Sequence, residues 1–261
     1  MAGIERHPAG AFCWVELGTT DVAAAKAFYG GLFGWTAEDM PMGEGQAYTM
    51  LKLAGLETGA MYKLTAEMLQ QKIPPNWMLY VTVESVDATM EKVKENGGQV
   101  AVGPFDVGEA GRMAVIRDPQ GAVVSMWQAK GHIGIRVAGA AGSLCWSELA
   151  TTDRVGARQF YTQVFGWGTK IGQMGPVEYT QWLVGEMPVG GMLEMTEEWE
   201  GAPPHWMPYF LVADCDASAD QSKALGGTVC VPPTDVPNEG RFAVLQDPQG
   251  AYFSIIRLSA G

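Results

Sequence analysis

Apolar and polar positions follow two alternating periods, and the whole pattern is performed twice. Residues 12–18 have strand composition, and Thr20-Asp21 behind them supply the side chains that cap a helix N-terminus. Val22, Ala25, Phe28, Tyr29, Leu32 and Phe33 then recur at helical spacing on one face, and Gly34 ends that helix. Strand-like runs follow near 47–54 and 59–64. Met78–Val83 opens a second round, whose helix over Val86–Asn96 stops at Gly97-Gly98. Two last strands, near 112–117 and 122–128, flank Asp118-Pro-Gln-Gly121, which has the residues a type I turn prefers. Each half is therefore expected to run strand, helix and three strands, done twice.

The second half repeats the first. Phe12-Cys-Trp-Val-Glu-Leu-Gly-Thr-Thr-Asp21 returns as Leu144-Cys-Trp-Ser-Glu-Leu-Ala-Thr-Thr-Asp153, and Phe28-Tyr-Gly-Gly-Leu-Phe-Gly-Trp35 as Phe160-Tyr-Thr-Gln-Val-Phe-Gly-Trp167, both 132 residues on. The segments around Trp77 and Asp118-Pro-Gln-Gly121 return at Trp206 and Asp247-Pro-Gln-Gly250, 129 residues on. The second copy is thus three residues shorter, and the turn around Glu38–Gln46 is the expected place. Between the copies lies a Gly- and Ala-rich stretch without periodicity. The expected organisation is a first domain over 1–130, a linker over 131–142 and a second domain over 143–261.

Composition narrows the function classes. The chain has 261 residues and a formal net charge of −12, and neither half carries a basic stripe, which argues against nucleic acid or an anionic membrane as partner. Without a long apolar run or a signal-like N-terminus, the expectation is a cytoplasmic protein that does not insert into membranes. Four cysteines are too scattered for a disulfide framework, and Cys13 and Cys145, at equal repeat positions, read as small buried hydrophobes. No Gly-x-Gly-x-x-Gly, P-loop or Gly-x-Ser-x-Gly motif is present, so no nucleotide or other cofactor is expected.

A strand ending in Thr-Asp, a helix carrying Phe-Tyr before Phe-Gly-Trp, and a late Asp-Pro-x-Gly strand pair together resemble the vicinal-oxygen-chelate superfamily of glyoxalases, bleomycin-resistance proteins and extradiol dioxygenases. Within it, the tandem arrangement is similar to two-module proteins named glyoxalase-like or hydroxylase-like. The resemblance implies an α+β fold of two tandem modules. In each, two βαβββ units form a half-open, cup-shaped sheet with helices outside and ligand inside.

Strand parity assigns residues to the cups. Cys13, Val15 and Leu17 suit the helix-packed face, so Phe12, Trp14 and Glu16 are expected to point inward, as are Trp146 and Glu148 in the second copy. Val123, Ser125 and Trp127 share a face, as do Tyr252, Ser254 and Ile256. Trp77 and Tyr80, with Trp206 and Tyr209, are expected to line rim and wall, with His205 beside Trp206. An aromatic cup with an acid and a hydroxyl is a small-molecule pocket.

The resemblance also implies a divalent ion held by His, Gln or Glu, and the matching positions do not supply it. They fall on Trp14 and Ser125 in the first half and on Trp146 and Ser254 in the second. His7 and His132 lie in the N-terminal tail and the linker. The second half alone offers His205, Glu148 and Glu194 together, Lys63 standing where the first half would need Glu194. Glu16 and Glu148 are candidate bases or ligand anchors, unless each pairs with the repeated arginines Arg112 and Arg241. Besides a chiefly interaction or surface-exposed protein, which the absence of a sharp catalytic constellation leaves open, two functions remain. One is metal-free binding of a small, partly hydrophobic or aromatic ligand. The other is a lyase or isomerase using Glu148 as base, or a metal in the second cup. The partner expected in either case is a small molecule, with the two modules pairing within a monomer or the chain forming a homodimer.

Overall fold

The structure, a computed structural model, describes residues 3–43, 46–174, 177–199 and 201–259. The first half runs β1 (Phe12–Thr19), α1 (Val22–Phe33), β2 (Thr36–Gly43), β3 (Gln46–Leu53), β4 (Leu56–Lys63), α2 (Ala66–Gln70), β5 (Asn76–Thr82), α3 (Val86–Glu95), β6 (Gln99–Val107), β7 (Gly111–Arg117) and β8 (Val123–Ala129). The second runs β9 (Leu144–Thr151), α4 (Arg154–Phe165), β10 (Gly168–Met174), β11 (Val177–Val184), β12 (Met187–Glu194), β13 (His205–Leu211), α5 (Cys215–Ala224), β14 (Thr228–Val236), β15 (Gly240–Gln246) and β16 (Tyr252–Leu258). Among the described residues, no helix is long and apolar enough to cross a membrane.

Each half folds into one curled eight-stranded sheet, in the order β2-β3-β4-β1-β5-β8-β7-β6 and its counterpart β10-β11-β12-β9-β13-β16-β15-β14. Within each βαβββ unit the first strand lies parallel to the last, β1 on β4 and β5 on β8. Antiparallel pairing of β1 with β5 joins the two units at the centre of the sheet. The long helices begin where the sequence places a cap: Asp21 Oδ1 accepts from the Ala24 amide and Asp153 Oδ1 from Gly156. They end at Gly34 and Gly166 in the left-handed conformation that glycine adopts without penalty.

The helix-bearing faces of the two sheets meet, and the repeated motifs are what join them. Asp118 Oδ1 accepts the amides of Gln120, Gly121 and Ala122, while its Oδ2 accepts the hydroxyl of Tyr161 from the other half at 3.0 Å. Asp247 takes Tyr29 in the same way at 3.0 Å. Trp77 and Trp206 donate to the two tyrosine oxygens. Around these pairs Phe33 packs on Phe210, and Phe12 on Trp167 and Trp206.

Three expectations need correction. Phe12 faces the module interface instead of the cup, because a register shift between Phe12 and Trp14 turns the strand over at Cys13. Trp77 and Trp206 border a cavity, as expected of rim residues, but with their indole N–H groups turned to the helix side: β5 alternates, so Trp77 and Tyr80 cannot share a face. The shortening of the second copy also falls largely elsewhere. Glu16 faces Ala60 and Glu148 faces Gly191, an offset of 131. One residue is therefore lost between Trp35 and Ala60, where residues 44 and 45 of the expected turn lie outside the described residues, and the other two between Ala60 and Trp77.

Residues 130–136 are not a free tether. The amides of Lys130 and His132 bond to the Ala110 carbonyl, Gly131 to Glu109, Ile135 to Cys13 and Arg136 to Glu57. The N-terminal segment covers them, with Ile4 bonded to the Arg136 carbonyl and the His7 ring to that of Ile135.

Candidate functional site

On the concave face of each sheet a glutamate lies between two phenols. Alternation along β1 aims Trp14 and Glu16 inward, β3 brings Tyr48, β5 brings Tyr80, and β8 sets Ser125 level with Tyr80. Trp14 donates to Tyr48 at 3.1 Å, Tyr48 to Glu16 Oε2 at 2.8 Å, and Tyr80 to Glu16 Oε1 at 2.5 Å. The second cup repeats the set: Trp146 to Tyr179 at 2.8 Å, Tyr179 to Glu148 Oε2 at 2.7 Å, and Tyr209 to Glu148 Oε1 at 2.6 Å. The hydroxyls of Ser125 and Ser254 are buried and without a hydrogen-bond partner among the described residues.

Electrostatics fixes the protons. Burial pushes both glutamates above the usual carboxylate value, and the two phenol donors pull each only part of the way back. Burial and the adjacent carboxylate hold all four phenols well above their ordinary value, so they stay protonated donors. The result is a carboxyl group of raised proton affinity held by two phenol donors and flanked by a serine hydroxyl that can donate or accept; in the second half it faces a cavity.

The other candidates are placed as follows. Arg112 and Arg241 do not reach the glutamates: Arg112 pairs with Asp87 and Asp106, and Arg241 with Asp216 and Asp235, on the exposed surface. Glu194 is held by Arg154, which also binds Glu178. His205 lies at the rim with its Nδ1 on the Pro203 carbonyl at 2.8 Å, and its ring 6.0 Å from that of Trp199. Among the described residues, no three His, Cys, Asp or Glu side chains converge on one point. Cys13 and Cys145 are pushed up to about 12 by burial and remain thiols.

The sequence reading missed Tyr48, Tyr179 and His132. The tyrosines were findable, since they occupy one repeat position once the 131-residue offset is used. No local pattern marks His132. Its ring stands edge-on to Trp14, with centroids 4.7 Å apart and planes at 89°, and Trp127 donates to its carbonyl.

The cups differ in access. A cavity of about 2170 Å³ is lined by Cys145, Trp146, Glu148, Tyr179, Tyr209 and Ser254, and continues past Met78 and Val123 of the first sheet. Trp14, Glu16, Tyr48 and Tyr80 lie outside it. Trp14 is 5% exposed, whereas Trp146 is only part-buried.

Two tandem curled sheets, each built from paired βαβββ units around an inward-facing site, define the glyoxalase-like class of fold. The chain belongs to the Glyoxalase/Bleomycin resistance protein/Dioxygenase superfamily, whose sequence profile matches residues 11–126 and 144–255. It is 43% identical to CFP32 of Mycobacterium tuberculosis (strain CDC 1551 / Oshkosh), a protein that goes by the name of glyoxylase, over 94% of this chain and 93% of that one. It is 36% identical to the anthracycline biosynthesis protein DnrV of Streptomyces peucetius, over 98% and 96%. Among solved structures it resembles the Mn(II)-bound glyoxalase of Novosphingobium aromaticivorans, with a TM-score of 0.65 at 16% identity over 95% of this chain and 82% of that one, a likeness of fold.

Proposed function

We propose that the chain binds one planar, hydroxylated aromatic molecule in its second cup, without a divalent ion. The observation that carries this is Glu148, held by Tyr179 and Tyr209 on the wall of an open cavity with Trp146 beside it. A ligand ring packs against the indole, worth about 0.5–1.5 kcal/mol beyond its area burial. A ligand hydroxyl donates to Glu148, and a hydrogen bond to a charged group is worth about 1.5–3 kcal/mol. A metal-free site is supported by tryptophan and serine at the family's ligand positions and by a carboxylate already engaged by two protonated phenols. DnrV is named for anthracycline biosynthesis, and anthracyclines are fused, planar, hydroxylated ring systems of the kind this wall suits. Titration with 1,4-dihydroxyanthraquinone, followed by tryptophan fluorescence, tests the reading. Trp146→Ala and Glu148→Gln are each expected to weaken binding at least about tenfold, or about 1.4 kcal/mol, and chelation by EDTA to leave it unchanged. Loss of binding on chelation overturns the metal-free site; unaltered binding in both variants overturns the location.

Burial of Glu148 favours a second reading, a lyase or isomerase in which this carboxylate, its proton affinity raised, takes an acidic C–H proton next to a ligand carbonyl. The sign of it is deuterium exchange at that carbon by NMR, abolished in Glu148→Gln and retained in Glu16→Gln.

A further inference from the structure

In the first cup, part of the chain itself occupies the place of a ligand. Trp14 and Trp146 hold equal repeat positions, and each indole is fixed by the same hydrogen bond, to Tyr48 or to Tyr179. Their surfaces therefore present the same face. Against Trp14 the His132 ring packs perpendicular to the indole, an attractive geometry between aromatic rings. Trp146, among the described residues, borders the cavity.

The segment bearing His132 is built for this position. The backbone bonds of Lys130, Gly131, His132, Ile135 and Arg136 tie it to β1, β4 and the β6–β7 turn. It crosses β1 so closely at Gly134, at a φ of +108°, that a Cβ there would be driven into the Cys13 carbonyl oxygen. Glycine is the residue that permits the approach.

The two ring positions differ in their surroundings. His132 has Glu57 at 3.5 Å from Nε2, and Trp127 donating to its carbonyl. The sheet register makes Pro188 the counterpart of Glu57, and the repeat makes Ile256 that of Trp127. Pro188 and Ile256 are both apolar, and both line the cavity.

We infer that residues 130–136 are a built-in occupant of the first cup, and that His132 fills there the ring position which the second cup leaves for a carbocyclic aromatic ring of its ligand. Pro188 and Ile256, which stand where the first cup has Glu57 and Trp127, suit a hydrocarbon ring, whose hydroxyl end points toward Glu148. The inference deepens the binding reading of the second cup and rests on it. It makes the chain a one-site protein despite its two cups.

Equilibrium dialysis with 1,4-dihydroxyanthraquinone tests this. The natural chain is expected to take up one molecule, lost in Trp146→Ala. His132→Gly is expected to take up two, the second lost when Trp14→Ala is added. Gly134→Ala, which lifts the strap and keeps the imidazole, is expected to reach two as well. Uptake of one by both strap variants, with sheet amides still protected from hydrogen exchange, overturns the inference. For the natural chain, NMR contacts are expected between the probe's ring protons and Trp146; contacts with Trp14 overturn the inference whether or not the variants fold. Should the natural chain bind none while His132→Gly binds one at Trp14, the binding reading of the second cup fails and the closure of the first by its strap stands.

Discussion

Glu148 and its two phenols make a measurable difference to how the protein responds to pH. Burial raises the folded-state pKa of this carboxyl above its ordinary value of 4.5. Its contribution to stability is fully present below that value and is lost as pH rises through the raised one. Glu148→Gln has no such loss. Denaturation midpoints between pH 4 and pH 8 are expected to shift steadily in favour of the variant as pH rises. The surface pairs of Asp87 and Asp216 with arginine act in the acid range and are common to both proteins. Tyr179→Phe removes one donor to Glu148 and the acceptor of Trp146. A loss of about 1–3 kcal/mol is expected in urea unfolding, as for any buried polar group left unpaired. At this scale parity alone placed Trp14, Glu16, Trp146 and Glu148 on the concave face. It failed at Phe12, because a bulge resets the alternation and leaves no mark in the residue types.

At the scale of elements, the repeated Phe-Tyr of the helix and Asp-Pro-Gln-Gly of the late turn form one device. Each tyrosine crosses to the aspartate of the other half and accepts from the tryptophan beside it. Tyr29→Phe and Tyr161→Phe each leave a buried carboxylate oxygen and an indole N–H unpaired. A cost of about 1–3 kcal/mol apiece is expected by chemical denaturation, and the double variant should show whether the two clasps act independently. The capped helices and central strands were legible because each has one apolar face. The edge strands β2 and β6 were not located: β2 is exposed along its whole length and β6 along most of its own, so no periodicity selects a face. Their prolines, Pro41 and Pro104, suit an edge and interrupt the strand pattern.

For the whole molecule, the meeting of the helix-bearing faces matters more than the covalent link. Phe12, Phe33, Trp167, Trp206, Phe210 and Phe253 bury against one another across it. Chains 1–138 and 139–261, expressed together, are expected to co-elute in size-exclusion chromatography, since exposing this aromatic surface costs far more than cutting the connection. Phe210→Ala is expected to destabilise by about 3–5 kcal/mol. Separate elution of the halves would contradict the account of the interface.

What the sequence by itself determined were the repeat, the capped helices, the central strands and the inward parity of Trp14, Glu16, Trp146 and Glu148. All of these depend on contacts or periodicities within a few residues. Tertiary structure decided which partners close on the glutamates, that the motif residues join the halves, and that residues 130–136 lie over Trp14 while Trp146 faces a cavity. Those contacts join positions far apart in the chain, Tyr29 to Asp247 and His132 to Trp14, and a local pattern of apolar and polar residues holds no information about such pairings.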